Sequence, residues 1–128
     1  MNRNEMLRSA VNDRAALEFA YGTHDCCAFV RDVVKRVRGV DPAPHLQYTS
    51  EAEAGDIIAA HGGLDGLLTS IFGKPVADAM LTTCDVALVR LPGCELMAGV
   101  VSPGGVLVPM PRGLERVPRA SIVHGWNA

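Results

Sequence analysis

A chain of 128 residues, 48% hydrophobic and 20% charged, has the balance of one soluble domain with a real core, which excludes both disorder and a multidomain enzyme. Twelve Lys and Arg against 14 Asp and Glu leave a formal charge of -2, so no basic surplus exists to neutralise a phosphate backbone and nucleic acid is not expected as a partner. Three Phe, two Tyr and one Trp are too few for a platform of stacked bases or sugars.

The longest aliphatic stretches, Ile57 to Ala60 and Met97 to Val101, fall far short of the roughly 20 residues that span a bilayer, so no membrane insertion is expected. The start, MNRNEMLRSAVNDRAALEF, carries charges every few residues and no apolar core of a secretory signal, which predicts synthesis in the cytoplasm. Cys26, Cys27, Cys84 and Cys94 contain no CxxC spacing and read as free thiols. Those four side chains are the one candidate set for zinc or an iron–sulfur cluster, but successive helical residues point about 100° apart, so Cys26 and Cys27 are not expected to converge on one ion. No metal and no cofactor are expected.

Neither repeats nor linker-like tracts interrupt the chain, and residues 1–128 read as one domain. A short helix is predicted over about residues 3–12, followed by an extended or loop stretch from Arg14 to Gly22. The strongest helical pattern is DCCAFVRDVVKRVRG, in which Cys26, Phe29, Val30, Val33, Val34 and Val37 form an inward stripe and Gly39 supplies the stop. Asp25 stands as its N-cap or first-turn carboxylate. Arg31, Asp32, Lys35, Arg36 and Arg38 fall on the other side, as a solvated face or a contact for a partner's acidic surface.

Ser50 to Glu53 is a capping box opening a helix that ends at Gly62 and Gly63, with His61 in its last turn. Leu64, Leu67, Leu68 and Ile71 mark a second short amphipathic helix stopped by Gly73 and Pro75. After Thr83 the pattern changes to strands: DVALVRL, ELMAGVVS, VLVPM and a terminal SIVHGW, separated by Pro92-Gly93 and by Ser102-Pro103-Gly104-Gly105. Asp85 reads as a strand-edge residue, His45 as a solvated loop residue, and Leu46 and Leu91 as isolated apolar surface residues. Helices first and an antiparallel meander second define an α+β domain, with the N-terminal helices packed on the C-terminal sheet.

Cys26 is the leading chemical candidate, because the first turn of a helix offers N–H groups and a dipole that stabilise a thiolate. As a nucleophile it would need a histidine from a strand across the gap. The competing assignment is a small buried hydrophobe.

The segment YGTHDCCAFV, containing Tyr21, Gly22, Asp25 and Cys26, resembles the W-G-x-x-D-C motif of NlpC-type, papain-like cell-wall cysteine peptidases. More closely, the order of Phe19 to Gly22, Asp25 to Cys26, Gly39 to Pro42 and Cys84 to Val86, closing on Trp126, is similar to a family of small proteins encoded in tail gene clusters of phages, prophages and gene-transfer agents. The resemblance implies a papain-like, NlpC-like fold with Cys26 at the nucleophile position. It departs from the active family at two places. Cys27 and Ala28 replace the Ser and Gly after the nucleophile, and Met97-Ala98-Gly99-Val100 stands where that family carries H-[VA]-G-[IV], which puts Met97 at the position of the general base. A thioether cannot accept and return a proton at neutral pH.

His124, on the terminal strand, is the remaining candidate base if that strand lies beside the one carrying Met97. His24 would have to fold back over Cys26. These observations favour a structural tail protein, at the tail tip or in tail assembly, that works in the virion with hub, distal tail or tip subunits as partners. The alternative is a virion-carried cysteine peptidase or amidase that cuts peptidoglycan stem peptides through Cys26 with His124 as base. A cytosolic binding domain unconnected with phages is a third reading.

Overall fold

The structure, a computed structural model, describes residues 1–93 and 95–128. Cys94, one of the four thiols read above as free, lies outside the described residues. Four helices precede five strands, as the α+β reading expects: α1 (Arg3–Arg14), α2 (Cys26–Arg38), α3 (Glu51–Ala60), α4 (Leu64–Phe72), then β1 (Val86–Arg90), β2 (Leu96–Ser102), β3 (Gly105–Pro109), β4 (Leu114–Val117) and β5 (Ile122–Trp126). All strand pairs are antiparallel, in the order β4-β3-β2-β1-β5. The first four form a meander, and β5 returns to the far side of β1.

The local signals for α2 act where the sequence places them. Asp25 caps the helix through its side chain onto the Ala28 N–H, and Gly39 ends it in the left-handed conformation with φ 80°, its N–H bonded to the Lys35 carbonyl at 2.7 Å. Phe29, Val30, Val33 and Val34 are fully buried against the sheet. Truncating one such side chain to alanine costs about 2–5 kcal/mol, so this stripe anchors the helix firmly. The inward stripe does require one correction. Cys27, not Cys26, is its buried N-terminal member; Cys26 is half-buried.

The polar side of α2 is largely consumed within the molecule. Arg36 bonds Asp32 and Asp13, Arg14 bonds Asp32 at 3.2 Å, and Arg31 bonds Asp41 at 2.8 Å. These pairs tie α2 to α1 and to the following loop. Lys35 and Arg38 are exposed.

Both faces of the central strands are covered, which explains their unbroken aliphatic runs. Val86, Leu88, Ala98, Val100 and Leu107 face the helices together with Trp126. Ala87, Val89, Val101, Val106 and Val108 form a second cluster on the opposite face. Gly99 lies on that second face, where a Cβ would come within 2.7 Å of the Leu107 carbonyl oxygen. Its place in the motif is therefore a packing requirement of β2 against β3.

Several expectations are corrected here. Helix α1 runs two residues further than predicted and ends with Arg14, which is buried and bonded to the Thr23 carbonyl and the ring of His24. The short edge strand β4 had no counterpart in the sequence reading. Leu46 is not a surface residue; it is 5% exposed within the main core.

Asp85 stands at the edge of β1, as expected, but it is buried there. It is 1% exposed, immediately ahead of β1, and gathers both ends of the chain. Its carboxylate accepts from the N–H groups of Ala128 (2.7 Å) and Thr82 (2.8 Å), from Asn127 Nδ2 (3.0 Å) and from Arg3 (3.1 Å). Burial alone would push its pKa up, but these donors together hold it below the ordinary 3.8. A carboxyl whose folded pKa is depressed contributes its full stability above the unfolded value and loses it as pH falls through the folded one. Asp85→Ala is therefore expected to cost about 3 kcal/mol in urea unfolding at pH 7, and the gap to wild type should shrink below pH 3.8. A gap that stays constant with acidification would contradict this role.

Candidate functional site

The site is built on the N-terminus of α2. Asp25, 4% exposed, accepts from the Gly22 N–H (2.6 Å), the Ala28 N–H (2.8 Å) and the Tyr48 hydroxyl (2.7 Å). One carboxylate thus joins the loop before α2, the first turn of α2 and the chain segment that leads into α3. Gly22 is required there on two counts: its φ is 87°, and a Cβ would lie 2.3 Å from the Tyr48 carbonyl oxygen. Burial of Tyr48, first of all, and then its closeness to the thiols and to Asp25 push the phenol pKa well above its ordinary value, so the proton stays on Tyr48 and is donated to Asp25.

Above this base lies a groove of about 570 Å³, a volume within the range of small-molecule and peptide-side-chain sites. Cys26 and Cys27 lie along it, with Tyr48 beside them. Phe19 and Tyr21 line it as an edge-to-face pair with ring centroids 5.0 Å apart, and Ile57, Ile58, Leu64 and Leu67 contribute from α3 and α4. Arg90, Glu95 and the start of β2 complete the lining. Helix α3 is opened by the expected box: Ser50 Oγ accepts from the Glu53 N–H at 3.1 Å, and the Glu53 carboxylate accepts from the Thr49 N–H at 2.9 Å. No residue of α3 is fully buried, so it covers the groove without belonging to the core.

Cys26 carries the site's chemistry. The Cys27 thiol, donating to Cys26 Sγ, has the largest influence and lowers the Cys26 pKa; burial opposes it, and the Ala98 N–H lowers it further. The Cys27 thiol is pushed up, first by keeping its proton in that hydrogen bond and then by burial. Both residues line the groove, Cys26 half-buried and Cys27 buried. Cys84 is elsewhere: it is fully buried and donates to the Arg3 carbonyl at 3.2 Å, and burial raises its pKa. Among the described residues, no three His, Cys, Asp or Glu side chains converge as metal ligands do.

Neither expected base position sets a base against Cys26. In the register Val89 pairs with Met97 and Leu88 with Ala98, so Ala98 and Leu96 face the helices while Met97 packs against the cluster on the opposite face. Met97 still lines the groove that holds Cys26, so the position expected for the base borders the site, but it carries a thioether that packs against the other face. His124 does not lie beside that strand. It pairs with Leu88 of β1, so a whole strand separates it from β2, a distance of about 10 Å at the usual strand spacing. Its Nε2 is 2.9 Å from Asp65 Oδ1 of α4, and its ring stacks edge-on against Trp126 at 5.4 Å. Trp126 itself is fully buried in the main core.

His24 has a structural position that sequence spacing does not reveal. It is 1% exposed; its Nδ1 lies 3.1 Å from Arg14 Nη1 and its Nε2 lies 2.9 Å from the Gly113 carbonyl oxygen. A guanidinium only donates and a carbonyl only accepts, which fixes a neutral ring with its proton on Nε2. His45 is exposed, and His61 caps the end of α3 through the Ile57 carbonyl at 2.8 Å. Among the described residues, no histidine lines the groove.

The site therefore offers an accessible, acidified thiol without a proton shuttle. At pH 7 Cys26 is expected to react with iodoacetamide about tenfold faster than Cys27 or Cys84, as read by peptide mapping of partially alkylated native protein. Equal labelling of the three would contradict the thiol electrostatics described here.

Comparison with known proteins places this arrangement in a family without giving it a function. No curated protein matches the chain. The model of a family described as a domain of unknown function, DUF6950, matches residues 2–128, nearly the full length, and the chain belongs to that family.

Proposed function

We propose that the protein is a bacteriophage tail component, acting at the tail tip or in tail assembly, whose NlpC-like fold keeps the place of a peptidase nucleophile but binds rather than cleaves. The observation that carries the non-catalytic part is the groove itself: Cys26 is present, and among the described residues no histidine lines the walls around it. Peptide-bond cleavage by a thiol needs a group that takes the thiol proton and returns it to the leaving amine. His24 is held neutral in the interior, His61 caps a helix, His45 lies on a loop, and His124 is engaged with Asp65 beyond β1.

The tail assignment rests on the order of the short motifs around Phe19 to Gly22, Asp25 to Cys26, Gly39 to Pro42 and Cys84 to Val86, which resembles that of the tail-cluster proteins. In this reading the chain is made in the host cytoplasm, is built into the virion, and takes hub, distal tail or tip subunits as partners. Among the described residues, no helix is long and apolar enough to cross a membrane. One observation favours the second reading, a virion-borne cysteine peptidase or amidase: the Cys26 thiol is acidified by Cys27 and the Ala98 N–H. That would make it a competent nucleophile, though with no partner to protonate a leaving amine.

Two measurements test the proposal together. Peptidoglycan incubated with the wild-type protein, or with Cys26→Ser, is expected to yield no new stem-peptide fragments by mass spectrometry, and the protein is expected to sediment with assembled tails and to bind purified tail hub or tip subunits. Fragments produced by the wild type and absent with Cys26→Ser would overturn the non-catalytic reading. A protein that stays free of tails and of every tail subunit would overturn the assembly reading.

A further inference from the structure

We infer that the groove above Asp25 is a docking site for a basic peptide segment of a partner protein, in which a large apolar side chain is flanked by Lys or Arg. The inference rests on the reading that the groove binds rather than cleaves, and it adds the chemistry of what is bound. Two features of the walls carry it: their apolar lining and the sign of the charge around them.

The lining suits an apolar side chain. Ile57 and Ile58 of α3, Leu64 and Leu67 of α4, and Leu96 at the start of β2 border a space of about 570 Å³, which has room for a large side chain. The polar groups at its base are already satisfied: Tyr48 donates to Asp25, and the same carboxylate accepts from the Gly22 and Ala28 N–H groups. What fills this space is therefore apolar. Phe19 lines it while remaining 40% exposed, and an exposed ring close to carboxylates also gives a Lys or Arg a place to rest by cation–π attraction.

The surrounding charge selects a cation. Residues 48–73, which hold both α3 and α4, contain Glu51, Glu53, Asp56 and Asp65 and neither Lys nor Arg. Glu95 and Arg90, both exposed, line the groove from the sheet. Five carboxylates against one guanidinium exceed the formal charge of -2 on the whole chain, so the rest of the molecule is slightly positive and the negative charge is gathered on the groove's walls. Glu53 caps α3 and Asp65 bonds His124, but among the described residues Glu51, Glu95 and Arg90 enter no ion pair. The positive end of α2 does not reverse this sign, because the Asp25 carboxylate lies against it. Walls of one sign also disfavour two copies meeting groove to groove, and they repel an acidic segment.

The test titrates the full-length protein into a dansyl-labelled, capped hexapeptide whose central Phe-Leu pair is flanked on each side by two lysines, and reads fluorescence anisotropy. Binding is expected, weakening several-fold as NaCl rises from about 50 mM to about 500 mM, because salt screens exposed charges. The same peptide with glutamates for its lysines, or with a Ser-Ser centre, should bind at least about tenfold more weakly. The double variant Glu51→Lys with Glu95→Lys, changed only at exposed positions, should lose about tenfold for the lysine peptide and gain for the glutamate one. Amide NMR shifts caused by the lysine peptide should map to α3, α4 and the start of β2. The inference is overturned if that peptide shows no binding up to about 1 mM, or if the glutamate peptide binds equally well. Shifts confined to the polar side of α2 would overturn it too, as would a free protein that sediments as a dimer with its groove amides protected. Sedimentation with tails, in a protein that ignores the lysine peptide, would overturn this inference alone and leave the assembly reading standing.

Discussion

A buried carboxylate organises this protein's groove. Asp25 lies almost out of solvent, where an unpaired charge would be costly, and it is retained because two backbone N–H groups and the Tyr48 hydroxyl all point at it within 2.8 Å. It also sits at the positive end of α2, which favours the anion further. Because its partners come from three separate segments, the carboxylate fixes the loop carrying Tyr21, the first turn carrying Cys26 and Cys27, and the approach to α3 in one arrangement. Gly22 completes the lock, since any side chain there would collide with the Tyr48 carbonyl.

That arrangement delivers a thiol to the edge of the sheet and stops short of a catalytic pair. The strand positions turned toward Cys26 are apolar, Leu96 and Ala98, and what Ala98 contributes is its backbone N–H. The histidines serve other ends. His24 and Arg14 join α1, the loop before α2 and the Gly113 turn in one buried polar cluster, and His124 links the last strand to α4. What remains is a half-buried thiol at the edge of a largely apolar groove.

The parts legible in the sequence are those whose signals are local. Asp25 and Gly39 bracket α2, Ser50 and Glu53 open α3, and the valine spacing names the buried face of α2, so helix placement followed from neighbours a few residues apart. The face that Met97 presents was not legible, because β1, β2 and β3 are buried on both sides and their aliphatic runs carry no alternation from which to read parity. Strand β4 shows only four residues, Leu-Glu-Arg-Val, and is defined by its pairing with β3 rather than by its own pattern. The anchoring role of Asp85 and the burial of His24 depend on partners about 80 residues or more away in the chain, Arg3 for the first and Gly113 for the second. Spacing rules cannot supply such partners.

The most direct test of this account is to remove the Asp25 carboxylate and read both what it stabilises and what it positions. Asp25→Ala, compared with the partly exposed Asp41→Ala, should lose about 3–5 kcal/mol of unfolding free energy. Under native conditions it should also free the Gly22 and Ala28 N–H groups, so that hydrogen exchange at those two amides rises. A variant that keeps wild-type stability to within about 1 kcal/mol, with the Gly22 and Ala28 amides as protected as before, would show that the groove and its thiol are held by something other than Asp25.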